Sequence, residues 1–161
     1  MTAIARLRSP VGPITVEATD RGVRAVSLGE AAAPRPALST AEHEHLEAAR
    51  AALRAYFRGR PPELPALDLA GSAFDRKVWQ ALVEIPWGET CTYGALASRL
   101  GLPGAARAVG SANGRNPVAI LIPCHRVVAA GGGLGGYAGG LEIKRWLLAH
   151  EAGHAPALRT T

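Results

Sequence analysis

The spacing of apolar residues changes once along this chain of 161 residues. Over residues 3–28 they alternate loosely with polar residues, and two turn signals interrupt the run, which predicts a β-meander. From Ser39 onward they recur at helical intervals. Ser39 and Glu42 have the spacing of a capping box, and Gly59 ends this first helix. The pattern predicts an α+β fold that begins with a small sheet.

We place a domain boundary at residues 70–72, ahead of a helix that Ser72 can cap. Residues 1–70 then form a small N-terminal domain of sheet plus one helix, in which residues 63–69 are an edge strand or an extended linker. Residues 71–161 form a mostly helical C-terminal domain, with helices over 72–85, 93–100, 104–113 and 141–151.

The two middle helices of the C-terminal domain are separated by Gly101-Leu102-Pro103, which matches a helix-turn-helix. The second of them is rich in Ala, Gly and Ser, and Arg107 is its one long side chain between residues 104 and 113. Such a helix could enter a narrow groove with Arg107 as a probe, or pack tightly against another helix. The composition of this helix does not decide between groove binding and helix packing.

Composition and cysteine content exclude several classes of protein. The chain is 48% hydrophobic and 19% charged, which suits a folded core, and it has no apolar run of about 20 residues that could span a membrane. The N-terminus lacks the apolar stretch of a signal peptide, so we expect a cytoplasmic protein. The two cysteines, Cys91 and Cys124, cannot form a disulfide framework, and the histidines lack zinc-ligand spacing. We therefore expect reduced thiols and no metal site.

Positive charge is concentrated in the second half of the chain. The formal net charge is +5, and residues 90–141 contain no acid. Four arginines fall in that segment: Arg99, Arg107, Arg115 and Arg126. Such a segment favours a polyanionic partner, because neutralising phosphates supplies non-specific affinity. An Arg-rich composition gives the same pattern without a partner.

One segment carries a nucleophile and a base. Cys124 follows the apolar run 118–122, which predicts a buried strand or turn, and precedes His125. A histidine that takes up the thiol proton favours the reactive thiolate, and an acid on its other nitrogen orients it. Glu151 and Glu142 are both candidates for that acid. A structural buried thiol is the alternative, and it is the commoner fate of a cysteine.

The motifs around Cys124 resemble those of the O6-alkylguanine-DNA alkyltransferases, the methylated-DNA–protein-cysteine methyltransferases. The signature is Ile122-Pro123-Cys124-His125-Arg126-Val127-Val128. Further segments match in the family's order: Gly88-Glu89-Thr90-Cys91-Thr92-Tyr93, Ala105-Ala106-Arg107-Ala108-Val109-Gly110, Asn116-Pro117, Tyr137-Ala138-Gly139-Gly140, Lys144-Arg145-Trp146-Leu147-Leu148 and Glu151. The resemblance covers residues 72–152 closely. It implies that the C-terminal domain is a winged helix-turn-helix that binds DNA and carries the active site.

The resemblance implies direct-reversal DNA repair by a protein that is consumed in the reaction. An alkyl group on guanine O6, and also on thymine O4, would pass to Cys124 from a nucleotide rotated out of duplex DNA, once per molecule. No cofactor is implied. The implied partner is double-stranded DNA containing O6-alkylguanine, bound through its minor groove by a monomer that can cluster on DNA.

The resemblance also implies a role for each matching residue. His125 would activate Cys124 through a water and Glu151 would orient His125, while Asn116 would brace the turn and Tyr93 would donate toward guanine N3. Arg107 would fill the gap left by the rotated base. The surface in the minor groove would comprise Ala106, Ala108 and Gly110. The pocket would be lined by Val127, Tyr137 and Ala138.

Ala138 departs from relatives that have serine there, and the N-terminal half lacks the zinc-binding cysteines of some relatives. Three other functions stay open. A non-catalytic lesion binder would not need Cys124. A Cys-His hydrolase would turn over esters without DNA, using the glycine-rich loop 131–140 as an oxyanion hole. A winged-helix regulator would bind undamaged DNA in a sequence-specific way.

Overall fold

The computed structural model describes residues 2–153. They form two compact units: residues 2–70 with 117–121, and residues 71–116 with 122–153. The first unit therefore includes five residues from the second half of the chain, which a single boundary at 70–72 does not anticipate. Met1 and residues 154–161, which the predicted domains 1–70 and 71–161 include, lie outside the described residues.

A three-stranded antiparallel sheet forms the core of the first unit, as the alternating pattern predicts. Its strands are β1 (Ala3–Leu7), β2 (Ile14–Ala18) and β3 (Val23–Leu28), in the spatial order β1-β2-β3. Val16 of the central strand lies opposite Ala5 on one side and Val26 on the other. Ile14, Val16 and Ala18 share one face and are fully buried, which is the period of two expected for a packed strand.

Helix α1 (Thr40–Phe57) packs across this sheet. Its buried apolar side chains recur every three or four residues, as in an amphipathic helix. They are Leu46, Ala49, Leu53 and Tyr56. The Ser39 hydroxyl accepts a hydrogen bond from the Glu42 N–H at 3.1 Å. The Glu42 carboxylate accepts from the Leu38 N–H at 2.7 Å instead of from Ser39, so the predicted capping box is half formed.

The predicted extended segment 63–69 contacts the sheet through one residue pair. Leu67 forms a single parallel bridge with Val23 of β3. Gly22 permits this approach, because a Cβ at that position would lie 2.7 Å from the carbonyl oxygen of Ala66.

The apolar run before Cys124 is a one-residue bridge followed by a tight turn. Val118 pairs with Val26 of β3 in parallel. The Leu121 N–H then donates to the Ala119 carbonyl at 2.8 Å, with Ile120 between them at a φ of 71°. A β-branched residue is strained in that region, so the sequence gives no sign of this turn.

Helices dominate the second unit. They are α2 (Ala73–Val83), α3 (Tyr93–Arg99), α4 (Ala106–Gly114) and α5 (Leu141–Glu151), and the short strands β4 (Cys91–Thr92) and β5 (Val127–Val128) pair in parallel. Ser72 and Asp75 form a complete capping box at the start of α2. Helix α4 begins two residues later than predicted, because Gly104 has a φ of 88°. Trp79 donates from Nε1 to the Ala112 carbonyl at 2.9 Å and so ties α2 to α4.

This sheet-then-helices order confirms the predicted α+β class. Among residues 2–153, the helices all lack the length and hydrophobicity needed to cross a bilayer.

Candidate active site

Cys124 lies in a tight turn. Residues Cys124–Arg126 form one turn of 3-10 helix, in which the Arg126 N–H donates to the Pro123 carbonyl at 3.0 Å. In an extended segment, neighbouring side chains would point apart. In a 3-10 helix they are rotated by about 120°. His125 accordingly turns into the interior with 0% exposure, while Cys124 keeps 8%.

Glu151, the last residue of α5, holds His125 in place. Nε2 of His125 lies 2.5 Å from Oε2 of Glu151, and both side chains are buried. Glu142, the other candidate acid, is exposed in the first turn of the same helix. With Nε2–H donating to the carboxylate, the neutral ring presents Nδ1 as its proton acceptor. Burial lowers the pKa of His125 even though Glu151 raises it, so the imidazole is neutral at pH 7.

Arg126 is a member of this network that the sequence analysis missed. Its Nε donates to Oε1 of Glu151 at 2.7 Å, and its Nη1 donates to the Ile85 carbonyl at 2.6 Å. The Gly88 N–H adds a longer hydrogen bond to the same carboxylate oxygen, at 3.3 Å. Burial would raise the pKa of Glu151, but the hydrogen bonds from His125 and Arg126 outweigh it and lower the pKa to about 2. The carboxylate is therefore ionised throughout the physiological range.

The Cys124 thiol is protonated at rest. Burial raises its pKa, and the hydrogen bond from Asn116 and the charge of Lys144 offset only part of that effect. Asn116 also donates from Nδ2 to the Ile122 carbonyl at 2.7 Å. Asn113 of α4, which the sequence analysis did not select, approaches the Cys124 carbonyl at 3.5 Å.

Two tyrosines flank Cys124. Tyr93, at the start of α3, is half-buried. Its pKa is raised mainly by burial and to a smaller extent by the charge of Cys124. The Tyr137 ring stands edge-on to His125, with centroids 6.5 Å apart, and its buried hydroxyl has no hydrogen-bond partner among the described residues. Ala138 is exposed beside it, and Val127 is fully buried in β5.

The residues of α4 inferred to contact DNA differ in exposure. Arg107, Ala108 and Ser111 are exposed, whereas Ala106 and Gly110 are half-buried. A Cβ on Gly110 would lie 3.6 Å from Cδ1 of Tyr93, so this glycine faces a neighbouring helix. Residues two apart on a helix point to opposite sides. Ala106 and Gly110 therefore lie on one side of α4 and Ala108 on the other.

Two of the four arginines in the acid-free segment are paired with acids outside it. Arg126 is bonded to Glu151, and Arg115 lies 2.6 Å from Asp75 of α2. Arg99 and Arg107 are exposed. The linear charge count overestimated the cations available to a polyanion, because the compensating acids come from neighbouring helices.

Cys91 lies apart from this chemistry. It is buried in β4, its Sγ donates to the Thr92 carbonyl at 3.4 Å, and it pairs in register with Val127. Among residues 2–153, no three His, Cys, Asp or Glu side chains converge as a metal site would require.

Two family models together match most of the chain. The DNA-binding domain of 6-O-methylguanine DNA methyltransferase matches residues 73–153, and its ribonuclease-like domain matches residues 4–70. The methylated-DNA–protein-cysteine methyltransferase of Mycolicibacterium paratuberculosis is 58% identical over 109 residues, which are 67% of this chain and 66%, just under two thirds, of that protein. The protein of the same name from Methanosarcina acetivorans is 45% identical over 89% of this chain and 94% of its own length.

A solved structure is similar to this chain over nearly its whole length. The crystal structure of Mycobacterium tuberculosis OGT in complex with DNA superimposes with a TM-score of 0.81 at 43% sequence identity. The superposition covers 94% of each chain.

Proposed function

The chain belongs to the 6-O-methylguanine DNA methyltransferase family, and from this we propose that it repairs DNA by transferring alkyl groups from guanine O6 to its own Cys124. The observation that carries the proposal is the position of Cys124 beside a buried histidine whose Nε2 lies 2.5 Å from Glu151. This is the arrangement of a nucleophile, its base and an orienting acid.

The proposed reaction is a single displacement. His125 takes the thiol proton through a water, and Sγ of Cys124 forms a bond to the alkyl carbon while the bond from that carbon to O6 breaks. The electron pair of the broken bond passes to guanine, and a hydrogen bond from Tyr93 toward N3 stabilises the developing charge. Guanine takes up one proton from water and His125 releases the thiol proton to water, so no net proton is gained or lost. The products are guanine and an S-alkylcysteine. Because the carbon–sulfur bond of the S-alkylcysteine is not readily broken, Cys124 is not regenerated and each molecule acts once. The displacement itself needs no cofactor.

The thiol's raised pKa fits this sequence of events. A buried thiol held neutral at rest loses its proton only when the base acts, and the thiolate then forms in a site with little water to stabilise it. Its nucleophilicity is highest at that moment. Asn116 supports the turn through the Ile122 carbonyl, which keeps Sγ directed at the substrate.

Access to guanine O6 requires the nucleotide to leave the base stack. We propose that α4 enters the minor groove with Arg107 and Ala108, and that the Arg107 side chain occupies the gap in the stack. Small residues suit this groove because it carries little sequence information and the lesion can occur in any context. The DNA in the Mycobacterium tuberculosis OGT complex supports DNA as the partner.

The remaining parts of the proposal concern substrate range and setting. O4-alkylthymine presents a similar alkyl ether and is a second expected substrate. The pocket contacts would come from the backbone at Cys124, Val127 and Ala138, together with the Tyr137 ring. We propose that the protein acts as a monomer, able to cluster on DNA, in the reducing cytoplasm that keeps Cys124 a thiol.

The test is to mix the protein with one equivalent of duplex DNA that contains a single O6-methylguanine, and to map the peptides by mass spectrometry. We expect 14 mass units, one methyl group, on the Cys124 peptide and none on the Cys91 peptide, with the lesion reverted and no second turnover, at about one methyl per protein. Unmodified protein bound to intact lesion would instead indicate a lesion binder. Ester turnover without DNA would indicate a hydrolase.

A further inference from the structure

One buried cation has not been assigned a step in the proposed reaction. The chain has two lysines, Lys77 and Lys144. Lys77 is exposed on α2, whereas Lys144 on α5 has 0% exposure. An ammonium group is rarely buried unless all of its donors are satisfied, because desolvation is costly. Its position therefore calls for a reason.

The three donors of Lys144 meet three backbone carbonyls. Nζ donates to Val127 at 2.7 Å, to Gly136 at 3.1 Å and to Leu134. Val127 belongs to β5, which directly follows the Cys124 turn. Leu134 and Gly136 belong to the glycine-rich loop, residues 131–140. A single side chain thus joins this loop to the strand that leaves the nucleophile.

This loop has few side chains of its own with which to pack. Seven of its ten residues are glycine, so it has little side-chain surface to bury and a high entropy when released. It nevertheless lies close to the site. A Cβ on Gly135 would be 2.8 Å from the Tyr93 hydroxyl, and the Tyr137 ring stands beside His125. The loop therefore forms a wall around Cys124, and Lys144 holds that wall.

We propose that Lys144 is a positioning residue that fixes the glycine-rich loop beside Cys124 and so sets how tightly the alkylated base is held there. This inference rests on the proposed alkyl transfer. It assigns to Lys144 the binding of the base and not the chemical step, because its Nζ bonds to loop and strand carbonyls, whereas His125 and Glu151 handle the proton. A free base gains all of its binding energy from the pocket, of which this loop is one wall. A base in duplex DNA also gains binding energy from the protein's contacts with the DNA backbone.

The first experiment compares Lys144→Met with the matched control Lys77→Met. With free O6-benzylguanine, we expect Lys144→Met to raise the half-saturating concentration about tenfold or more. We expect the limiting rate of Cys124 alkylation to fall by less than about threefold, because loss of the Lys144 charge also raises the pKa of the thiol. Lys77→Met should match the native protein in both. A fall in limiting rate with unchanged half-saturation would overturn the proposal.

A second measurement shows whether the loop itself is released. Amide hydrogen exchange in residues 131–137 should speed up about tenfold or more in Lys144→Met, with no change in β1–β3 of the first unit. General unfolding would accelerate exchange everywhere and would count against a local role. Adding n-propylammonium to Lys144→Ala should restore both the amide protection of residues 131–137 and the native half-saturating concentration of O6-benzylguanine. Adding n-propanol, which lacks the charge, should restore neither.

A third measurement needs no variant. Amine acetylation of the native protein should modify Lys77 about ten times faster than Lys144, and O6-benzylguanine in a Cys124→Ser background should slow Lys144 further. Equal rates at the two lysines would overturn the proposal. If the native protein fails to alkylate Cys124 at all, the proposed function fails, whereas the exchange and acetylation results still decide whether Lys144 holds the loop.

Discussion

The two compact units bury polar groups for different purposes. In the first unit, buried Thr15 and Glu42 bond to the backbone: the Thr15 hydroxyl donates to the Gly29 carbonyl at 2.7 Å, and Glu42 caps the segment before α1. In the second unit, buried Asp75 caps α2 and pairs with Arg115, but the other four buried acidic or basic side chains bond to one another or to carbonyls around Cys124. These four are His125, which becomes a cation when protonated, Arg126, Lys144 and Glu151.

The buried polar groups of the first unit serve its fold, whereas the buried charges of the second unit are better explained by catalysis. Buried ion pairs are no more stabilising than well-packed apolar residues of the same size, because desolvation offsets their attraction. An apolar core would therefore serve the fold of the second unit as well. Its charges are better explained by the need to hold a neutral imidazole and a protonated thiol until substrate arrives. The first unit, with backbone-bonded polar groups, has the composition of a scaffold.

The largest contrast should come from the two cysteines. Cys124→Ser should reduce alkyl transfer below detection, because a serine hydroxyl has a far higher pKa than a thiol and His125 cannot ionise it. Cys91→Ser should keep the rate within about threefold and lower stability by about 1 kcal/mol, since its thiol packs in β4. The check is peptide mapping after one equivalent of alkylated duplex. Transfer to Cys91 in the Cys124→Ser protein would contradict the assignment.

The next contrast compares two buried glutamates. Glu151→Gln should slow transfer about 100-fold by removing the orienting carboxylate, and lower stability by about 3–5 kcal/mol because Arg126 is left buried without its counter-charge. Glu42→Gln keeps a cap acceptor and should cost less than about 1 kcal/mol with no change in rate. Single-turnover kinetics and urea unfolding measure both. Equal effects of the two substitutions would remove the distinction between the units.

The pKa values of Glu151 and His125 also predict how stability depends on pH. Because the folded pKa of Glu151 is lowered from 4.5 to about 2, its contribution is fully present above pH 4.5 and is lost as pH falls toward 2. The lowered pKa of His125 also reduces stability as pH falls below 6.5. Between pH 4.5 and pH 3, where only the native protein has this carboxylate to protonate, urea midpoints should fall less steeply in Glu151→Gln than in the native protein.

A smaller effect is expected at the surface. Arg107→Ala should slow repair of duplex DNA about tenfold and reduce the salt slope of binding by about one, while reaction with free O6-benzylguanine stays unchanged. Arg24→Ala, an exposed arginine on β3, is the matched change in the first unit and should affect neither substrate. If Arg107→Ala slowed both substrates equally, its role would be structural.

The smallest effect is expected at two helix caps, one in each unit. Ser39→Ala and Ser72→Ala each remove a hydroxyl that accepts a backbone N–H, and each should cost about 1 kcal/mol by thermal or urea unfolding. Neither should change the rate of transfer. The units should therefore respond alike to structural changes and differ only in response to changes near Cys124.

Much of the regular structure could be predicted because local patterns decide it. The meander, the cap at Ser39, the cap at Ser72 and the last helix, α5 (Leu141–Glu151), all follow from alternation, helical spacing and capping chemistry. The turn at Ile120 could not be predicted, since its backbone conformation is unfavourable for isoleucine and depends on surrounding contacts.

The resemblance named candidate residues for the site but not the contacts among them. Motif resemblance selected Cys124, His125 and Glu151, whereas Arg126 and Lys144 stood in the same motifs and were given no role in the site. Their importance lies in burial and in partners 8 to 41 residues away in sequence. A cation that looks like a phosphate contact in the sequence becomes part of a charge network only when the fold brings an acid beside it.

The most direct test of the account is the pH dependence of the single-turnover rate of Cys124 alkylation by O6-benzylguanine. If neutral His125 is the base, the rate should be constant around pH 7 to 8 and fall about tenfold per pH unit below an inflection that lies under pH 6.5. If the thiol ionises without the histidine, the rate should keep rising with pH beyond 9, following the raised pKa of Cys124. That second profile would contradict the account.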